Sequence, residues 1–164
     1  MIHLIVGNTG SGKTTYANQL KQTSGGIVFS IDQWNKVLFL PDKEPEDGLE
    51  WFLERIERVE VMILRLVDQL ENENTDAILD LGLSKFEHRE KFRRFATDNG
   101  YSMTTHFLDV PKEIRLSRVL NRNIEKGAGY EFEVTRDHFE FMETWFEKPS
   151  DYEMKDGIVI THQI

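Results

Sequence analysis

Eight residues near the start of the chain have the types and spacing of a phosphate-binding loop. Residues 7–14 read Gly-Asn-Thr-Gly-Ser-Gly-Lys-Thr and satisfy the pattern G-x-x-x-x-G-K-[ST] at every fixed position. Glycines let the backbone curl so that successive N–H groups face one anion, and a following helix directs its positive N-terminus at the same point. The pattern therefore predicts binding of a nucleoside triphosphate together with Mg²⁺.

Each residue of this loop is a candidate nucleotide contact. Lys13 is also a candidate catalytic cation for the β- and γ-phosphates, and the Thr14 hydroxyl is a candidate Mg²⁺ ligand. The alternative, a glycine-rich turn without a ligand, is disfavoured because a strand pattern precedes the loop and a helix pattern follows it. The candidate nucleotide-binding residues are Gly7, Asn8, Thr9, Gly10, Ser11, Gly12, Lys13, Thr14 and Thr15.

Two aspartates follow short apolar segments further along the chain. Asp32 comes directly after a strand predicted over residues 27–31, where a carboxylate could accept the proton of an acceptor hydroxyl or orient it for attack. Its alternative role, compatible with the first, is to cap a helix that starts at Gln33. Asp80 lies near the end of a strand predicted over residues 77–81 and is a candidate Mg²⁺ ligand, directly or through water. Many strands end in Asp, so this second prediction depends on the loop.

Basic residues after Pro111 are candidates for stabilising a transferred phosphoryl group, because its negative charge grows during transfer. Arg118 and Arg122 are spaced i, i+4 and share one helix face, so both are candidate catalytic cations. Together with the glycines that follow, residues 118–131 are predicted to form a mobile lid. The alternative is a solvated basic helix face paired with Glu113 and Glu125.

Strand and helix patterns alternate along the chain in the order β-α-β-α-β-α-β-α-α-β. This alternation predicts an α/β fold, with a parallel sheet covered by helices on both faces. Ligands of such sheets bind at the carboxyl ends of the strands, which is where residues 7–14, Asp32 and Asp80 fall. The strongest helix pattern covers residues 49–70, with apolar side chains every three or four positions. No repeat or long linker interrupts the chain, so we expect one domain over residues 1–164.

Composition restricts the partners and the location. The 164 residues carry a net charge of −9, which disfavours nucleic acid as a general partner, because nucleic-acid binding draws much of its affinity from Lys and Arg. There is no cysteine, which excludes disulfides and zinc–thiolate sites. The first apolar run is too short for a signal peptide, and no stretch approaches the roughly 18 apolar residues of a membrane span. We therefore expect a cytoplasmic protein without a membrane partner, whose oligomeric state the sequence leaves open.

Motifs spread over most of the chain resemble the small P-loop kinases, a group that includes the polynucleotide 5′-kinase domain, zeta toxins and chloramphenicol phosphotransferase. The resemblance implies a three-layer P-loop fold with a five-stranded parallel sheet in the order 2-3-1-4-5. It also implies ATP and Mg²⁺ at Lys13 and Thr14, an acceptor-activating role for Asp32, and a lid cation at Arg122 or Lys126. The motifs are residues 7–15, Ser-Ile-Asp at 30–32, Ile-Leu-Asp-Leu-Gly-Leu-Ser at 78–84 with Arg89, and Leu-Asp-Val-Pro at 108–111 followed by Arg-x-x-x-Arg.

The acceptor is less defined than the donor. Polynucleotide kinases carry an arginine three residues after the catalytic aspartate, where this chain has Asn35. Together with the acidic composition, this favours transfer to a hydroxyl of a small molecule over a polynucleotide. A nucleotide or polynucleotide 5′-hydroxyl kinase and an ATP-binding switch or hydrolase remain alternatives. Arg89, Arg93 and Arg94 contact either an anionic substrate or only solvent.

Overall fold

The structure is a computed structural model and describes residues 1–127 and 133–161. Within these residues, strands and helices follow the predicted order except after the second strand, where the structure adds a helix at Ile31–Leu38 and a short 3₁₀ turn at Leu40–Asp42. The strands are β1 Ile2–Val6, β2 Ile27–Ser30, β3 Ala77–Asp80, β4 Met103–Leu108 and β5 Ile158–Ile160. The helices are α1 Lys13–Ser24, α2 Ile31–Leu38, α3 Leu49–Asn72, α4 Phe86–Asn99, α5 Lys112–Glu125 and α6 Arg136–Trp145.

The five strands form one parallel sheet in the order β2-β3-β1-β4-β5. The central strand β1 pairs with β3 and with β4, so that Ile2 lies opposite both Ala77 and Met103. Every residue of β1 and β3 is buried, as expected for a parallel sheet covered on both faces. The predicted α/β class and strand order are therefore confirmed.

Side chains of β1 alternate between two apolar layers. Leu4 and Val6 pack in the larger cluster, which includes buried residues of α3 and α4. Ile5 points the other way and packs with Ala17 of α1. This alternation follows from the period of two in a strand, and it places helices on both faces of the sheet.

Helix α3 extends well beyond the sheet. Its 24 residues span about 36 Å at about 1.5 Å per residue, whereas the strand that follows it has only four residues. The predicted apolar face is buried only from Val59 onward, at Val59, Ile63 and Val67, while Leu49 and Leu53 are exposed. The helix prediction is confirmed, but the start of its apolar face, at Leu49 and Leu53, lies outside the core.

A buried ion pair joins α4 to the segment before β5. Arg89 is fully buried, and its Nε and Nη2 donate to the two carboxylate oxygens of Glu153 at 2.5 and 3.2 Å. Its Nη1 donates to the carbonyl oxygen of Leu83 at 3.1 Å. Both predicted roles of Arg89, substrate contact and solvated surface, are wrong, because this cation is satisfied inside the protein.

A chain of buried polar groups lies on the α1 side of the sheet. The hydroxyl of Tyr16 is 2.8 Å from Nδ1 of His106, whose Nε2 is 3.0 Å from Nδ1 of His3, and Nε2 of His3 is 3.2 Å from Asp76. The carboxylate of Asp76 can only accept a hydrogen bond. We therefore assign the Tyr16 hydroxyl as donor to His106, His106 as donor to His3, and His3 as donor to Asp76. In that assignment His106 is neutral and both of its ring nitrogens are satisfied.

Candidate functional site

The loop between β1 and α1 has a backbone that only glycine adopts without strain. Gly10 and Gly12 have φ angles of 79° and 94°, in the left-handed region. Gly10 is also packed tightly, since a Cβ atom there would lie 2.5 Å from the carbonyl oxygen of Arg115. Helix α1 begins at Lys13, so the unpaired N–H groups of its first turn open onto this loop. The loop therefore has the glycine turns and the helix N-terminus that the predicted pattern requires.

Lys13 folds back over the loop. Its Nζ donates to the carbonyl oxygen of Gly7 at 2.9 Å and lies 3.4 Å from that of Asn8. Burial is the main cause that lowers the pKa of this ammonium group from its ordinary value. The cation is thus held beside the anion-binding backbone, with loop carbonyls as its hydrogen-bond acceptors.

Four other charged groups act on the Lys13 ammonium. The negative charges of Asp80 and Asp32 raise its pKa, and the positive charges of Arg115 and Arg122 lower it. Such effects require proximity, because charge interactions weaken with distance. Both predicted aspartates and one of the two predicted arginines, Arg122, therefore act electrostatically on the lysine of the loop.

Asp80 ends β3 directly beside the first turn of α1. The hydroxyl of Thr14 donates to Oδ2 of Asp80 at 2.7 Å. Burial raises the pKa of the Asp80 carboxyl, while the Lys13 charge and the Thr14 hydrogen bond lower it. The two candidate Mg²⁺ ligands thus lie within one hydrogen bond of each other.

Asp32 belongs to the first turn of α2. The strand predicted over residues 27–31 ends at Ser30, and α2 begins at Ile31, so Ser30 is the N-cap residue. The predicted capping role of Asp32 is therefore wrong, although a carboxylate in a first turn is still favoured by the helix dipole. Its side chain is exposed, and Ser30 lies opposite Asp80 in the sheet. Asp32 therefore lies at the same sheet edge as the loop, open to solvent.

A carboxylate of α6 that the sequence did not indicate braces the loop. Glu143 receives two hydrogen bonds from Arg115, at 2.6 and 2.9 Å, and one from Nδ2 of Asn8 at 2.6 Å. Arg115 also donates to the carbonyl oxygen of Thr9 at 3.1 Å. The hydrogen bonds from Arg115 are the main cause that lowers the pKa of the Glu143 carboxyl. We call Asn8, Arg115 and Glu143 the Glu143 clasp, and it fixes the loop against α5 and α6.

The two predicted cations of α5 are half-buried. Arg118 lies 3.3 Å from the carbonyl oxygen of Ser11 through Nη1. Nε of Arg122 is buried and has no hydrogen-bond partner among residues 1–127 and 133–161. Their direct contact with a transferred phosphoryl group stays a prediction. The predicted lid over residues 118–131 lies partly outside the described residues, from residue 128 onward.

The strand order, the glycine loop and the paired Thr14 and Asp80 together define a P-loop nucleotide-binding protein with a kinase-type fold. More specifically, residues 2–149 match the family AAA_33, described as an AAA domain, and the chain belongs to this family.

Curated relatives match over part of their length. The UPF0200 protein of Saccharolobus islandicus strain M.16.4 is 29% identical over 122 residues, which are 73% of this chain and 63% of that protein. The UPF0200 protein of Saccharolobus solfataricus is 29% identical over the same shares. The chain thus spans less than two thirds of the length of these relatives.

Solved structures of kinases and related proteins share the fold at low sequence identity. A kinase from Chloroflexus aurantiacus, described as putative, superposes with a TM-score of 0.70 at 15% identity and covers 98% of this chain and 83% of that one. Kti12 of Chaetomium thermophilum, in complex with ADP-AlF3, gives 0.69 at 17% identity, covering 98% and 89%. The APS kinase CysC of Mycobacterium tuberculosis, in complex with AMPPNP and APS, gives 0.66 at 18% identity, covering 98% and 87%. These likenesses extend over nearly the whole chain and concern the fold.

Proposed function

We propose that this protein is an ATP-dependent phosphotransferase that moves the γ-phosphoryl group of ATP onto a hydroxyl of a small acceptor. The observation that carries the proposal is the position of Lys13 in the glycine loop beside the hydrogen-bonded pair Thr14 and Asp80, with Asp32 exposed at the same sheet edge. Phosphoryl transfer depends mainly on positioning and on charge stabilisation, and these groups supply both. We place the activity in the cytoplasm, where ATP is available.

Unsatisfied polar atoms support a phosphate ligand at the loop. The hydroxyl of Ser11 is fully buried, and neither it nor Nε of Arg122 has a hydrogen-bond partner in the described part of the chain. Buried polar atoms are normally paired, so orphaned donors beside an anion-binding loop suit a ligand that accepts hydrogen bonds. Triphosphate oxygens are such acceptors.

The pair Thr14 and Asp80 suits a Mg²⁺ ion carried by the nucleotide. A hydroxyl oxygen and a carboxylate oxygen 2.7 Å apart are hard oxygen ligands of the kind that Mg²⁺ prefers. Mg²⁺ bound there would neutralise phosphate charge. In the described residues no cluster of three or more His, Asp or Glu could hold a metal ion, so phosphate and water would complete the coordination.

Asp32 would act on the acceptor side. Its carboxylate would take the proton of the acceptor hydroxyl as the hydroxyl oxygen bonds to the γ-phosphorus and the bond to the leaving ADP oxygen breaks. Lys13 and Arg122 would balance the charge that develops on the phosphoryl oxygens. Because Asp32 is exposed on α2, an acceptor can approach it from solvent.

The test is ATP consumption with Mg²⁺ against sugars, nucleosides, aminoglycosides and 5′-hydroxyl oligonucleotides. One acceptor that raises turnover well above the rate with water supports the proposal and identifies the substrate. Hydrolysis that no acceptor stimulates would instead favour the switch or hydrolase alternative. Lys13→Ala should weaken ATP binding, whereas Lys21→Ala, an exposed lysine in the last turn of the same helix, should not. Equal ATP binding by both variants would contradict the role of the loop.

A further inference from the structure

A second concave site lies at the other end of the sheet. It is a cleft of about 200 Å³ between α4, the start of β4 and the segment that precedes β5. Met103 in its wall is the first residue of β4 and pairs with Ile2 at the start of β1, whereas the glycine loop follows the end of β1. The cleft is therefore separate from the nucleotide site. Its lining consists of two cations, two acids and four uncharged residues: Arg93, Lys155, Glu153, Asp156, Thr97, Met103, Thr105 and Tyr152.

Among the described residues, Arg93 in this cleft makes no hydrogen bond shorter than 3.5 Å. Its Nη2 lies 3.5 Å from both the Thr105 hydroxyl and the carbonyl oxygen of Glu153, at the outer limit for a hydrogen bond. Its Nε is buried without a hydrogen-bond partner in the described part of the chain and is 3.4 Å from the carboxylate of Glu90. A guanidinium group carries five N–H donors, so Arg93 has unused capacity for a strong acceptor.

The two acids nearest Arg93 also interact with other cations. Glu153 gives both carboxylate oxygens to Arg89, and Ser150 also donates to that carboxylate. Glu90 is shared with Arg94, whose Nε lies 3.4 Å from its other oxygen. These contacts leave the guanidinium of Arg93 weakly neutralised.

A second cation and an aromatic ring complete the cleft. Lys155 adds a positive charge, opposed within the lining by Asp156. The Tyr152 side chain is exposed, and its ring centroid lies 5.5 Å from the guanidinium carbon of Arg93. The cleft thus offers cations beside a ring face, on a chain whose net charge is −9.

We propose that this cleft is a binding site for a small oxyanion, a phosphate monoester or a carboxylate, with a flat apolar substituent on the Tyr152 ring. The volume is below the roughly 300–1,000 Å³ of sites for drug-sized ligands, so a nucleoside triphosphate is too large. Arg93 binds the oxyanion through its fork of donors, as guanidinium groups bind phosphate and carboxylate elsewhere. The proposal does not depend on the activity at the glycine loop.

The test is titration of the protein with inorganic phosphate, phenyl phosphate and benzoate, followed by amide chemical shifts in NMR spectra. A Lys13→Ala background weakens competing phosphate binding at the glycine loop. We expect shifts at residues of α4 and of the segment 150–157, and tighter binding of phenyl phosphate than of inorganic phosphate. Benzoate shows whether a carboxylate is accepted in place of a phosphate. Shifts confined to the glycine loop would overturn the proposal.

Two variants on the same helix sharpen this test. Arg93→Gln should weaken phenyl phosphate binding by roughly tenfold, as expected for loss of a charge-assisted contact. Arg94→Gln is the matched control, because its side chain is 76% exposed and lies outside the cleft lining; it removes only a cation that shares Glu90 with Arg93, so binding should weaken far less than in Arg93→Gln. Lys155→Gln, at an exposed residue, should give a smaller loss and guards against misfolding of the Arg93 variant. Equal affinities for the Arg93 and Arg94 variants would rule out the site.

Discussion

Asn8 in the glycine loop and Glu143 in α6 are joined by a 2.6 Å hydrogen bond, although 135 residues separate them in the chain. The same carboxylate holds Arg115, which donates to the carbonyl oxygen of Thr9. Two consecutive residues of the loop are therefore fixed by one acidic side chain. The loop conformation depends on α6 as well as on its own glycines.

Removing the charge of Glu143 should loosen the loop. In Glu143→Gln the amide keeps the shape, but Arg115 loses its charged partner, and hydrogen bonds to charged groups contribute about 1.5–3 kcal/mol. We expect weaker ATP binding, by roughly tenfold, and a lower free energy of unfolding. Calorimetric titration with ATP and urea unfolding measure the two effects.

Glu140→Gln is the control for the Glu143 prediction. Glu140 lies on the same helix and forms an exposed ion pair with Lys112 at 2.6 Å. Exposed pairs contribute little to stability, so this variant should behave as the unmodified protein. Similar losses in both variants would show that the clasp has no special connection to the nucleotide.

Replacing Thr14 should reduce the effect of Mg²⁺ on the affinity for ATP. Thr14→Val keeps the side-chain shape but removes the hydroxyl that donates to Asp80, whereas Thr14→Ser keeps a hydroxyl. We expect the gain in ATP affinity on adding Mg²⁺ to fall on the order of tenfold in the valine variant, as for changes near other metal sites. Affinities measured with Mg²⁺ and with EDTA give this ratio, and an unchanged ratio in the valine variant would argue against Thr14 as a ligand.

Asp32→Asn should abolish transfer while ATP still binds. The amide cannot take the proton of the acceptor, and loss of such a general base typically costs about 10²–10⁴-fold in rate. Turnover with the acceptor found in the panel and a separate ATP titration measure the two quantities. Asp42→Asn, in the exposed 3₁₀ turn that follows α2, is the control. Transfer at the normal rate in the Asp32 variant would remove Asp32 from the mechanism.

Stability should fall as the pH drops from about 6.5 towards 4. Burial, with a smaller contribution from the charge of His3, lowers the pKa of His106 to about 4 from 6.5. In this interval the unfolded chain takes up a proton that the folded His106 resists, so acid favours unfolding. The pKa of His106 is about 2.5 units lower in the folded chain than its ordinary value. At about 1.36 kcal/mol per unit, protonation of this ring in the unfolded chain lowers the free energy of unfolding by roughly 3 kcal/mol.

Urea unfolding at several pH values tests the role of His106. The groups that contact its ring are Tyr16 and His3, and His3 in turn contacts Asp76. His106→Gln removes the titrating ring and should flatten the loss of stability between pH 6.5 and 4.5. An identical slope in the variant and in the unmodified protein would assign the loss to other groups.

The parts of the site that sequence predicted are those set by local chain geometry. Residues 7–14 form their loop within one strand–turn–helix unit, so their pattern is sufficient. Asp80 was predicted to be a Mg²⁺ ligand because it lies near the end of an apolar strand. The end of β2 was placed one residue late, and Asp32 was given an alternative role as a cap, because an apolar Ile31 fits a strand end and a helix start equally well.

The remaining features depend on contacts between distant segments. Glu143 is one of several acids on an amphipathic helix, and only the packing of α6 against α5 selects it. Arg89 carries no local sign that Glu153, 64 residues later, will neutralise it inside the protein. Charged residues are expected at the surface, but Arg89 is buried and Glu143 is largely covered by its partners.

The ion pair between Arg89 and Glu153 has a consequence for synthesis on the ribosome. At about 5–20 residues per second, the 64 residues between the partners take roughly 3–13 s to translate. During that interval α4 carries a cation whose final place in the interior would be uncompensated, and burying an unpaired charge is costly. Docking of α4 therefore waits for the last part of the chain, and a nascent chain stalled before residue 153 should still be open to proteases at α4.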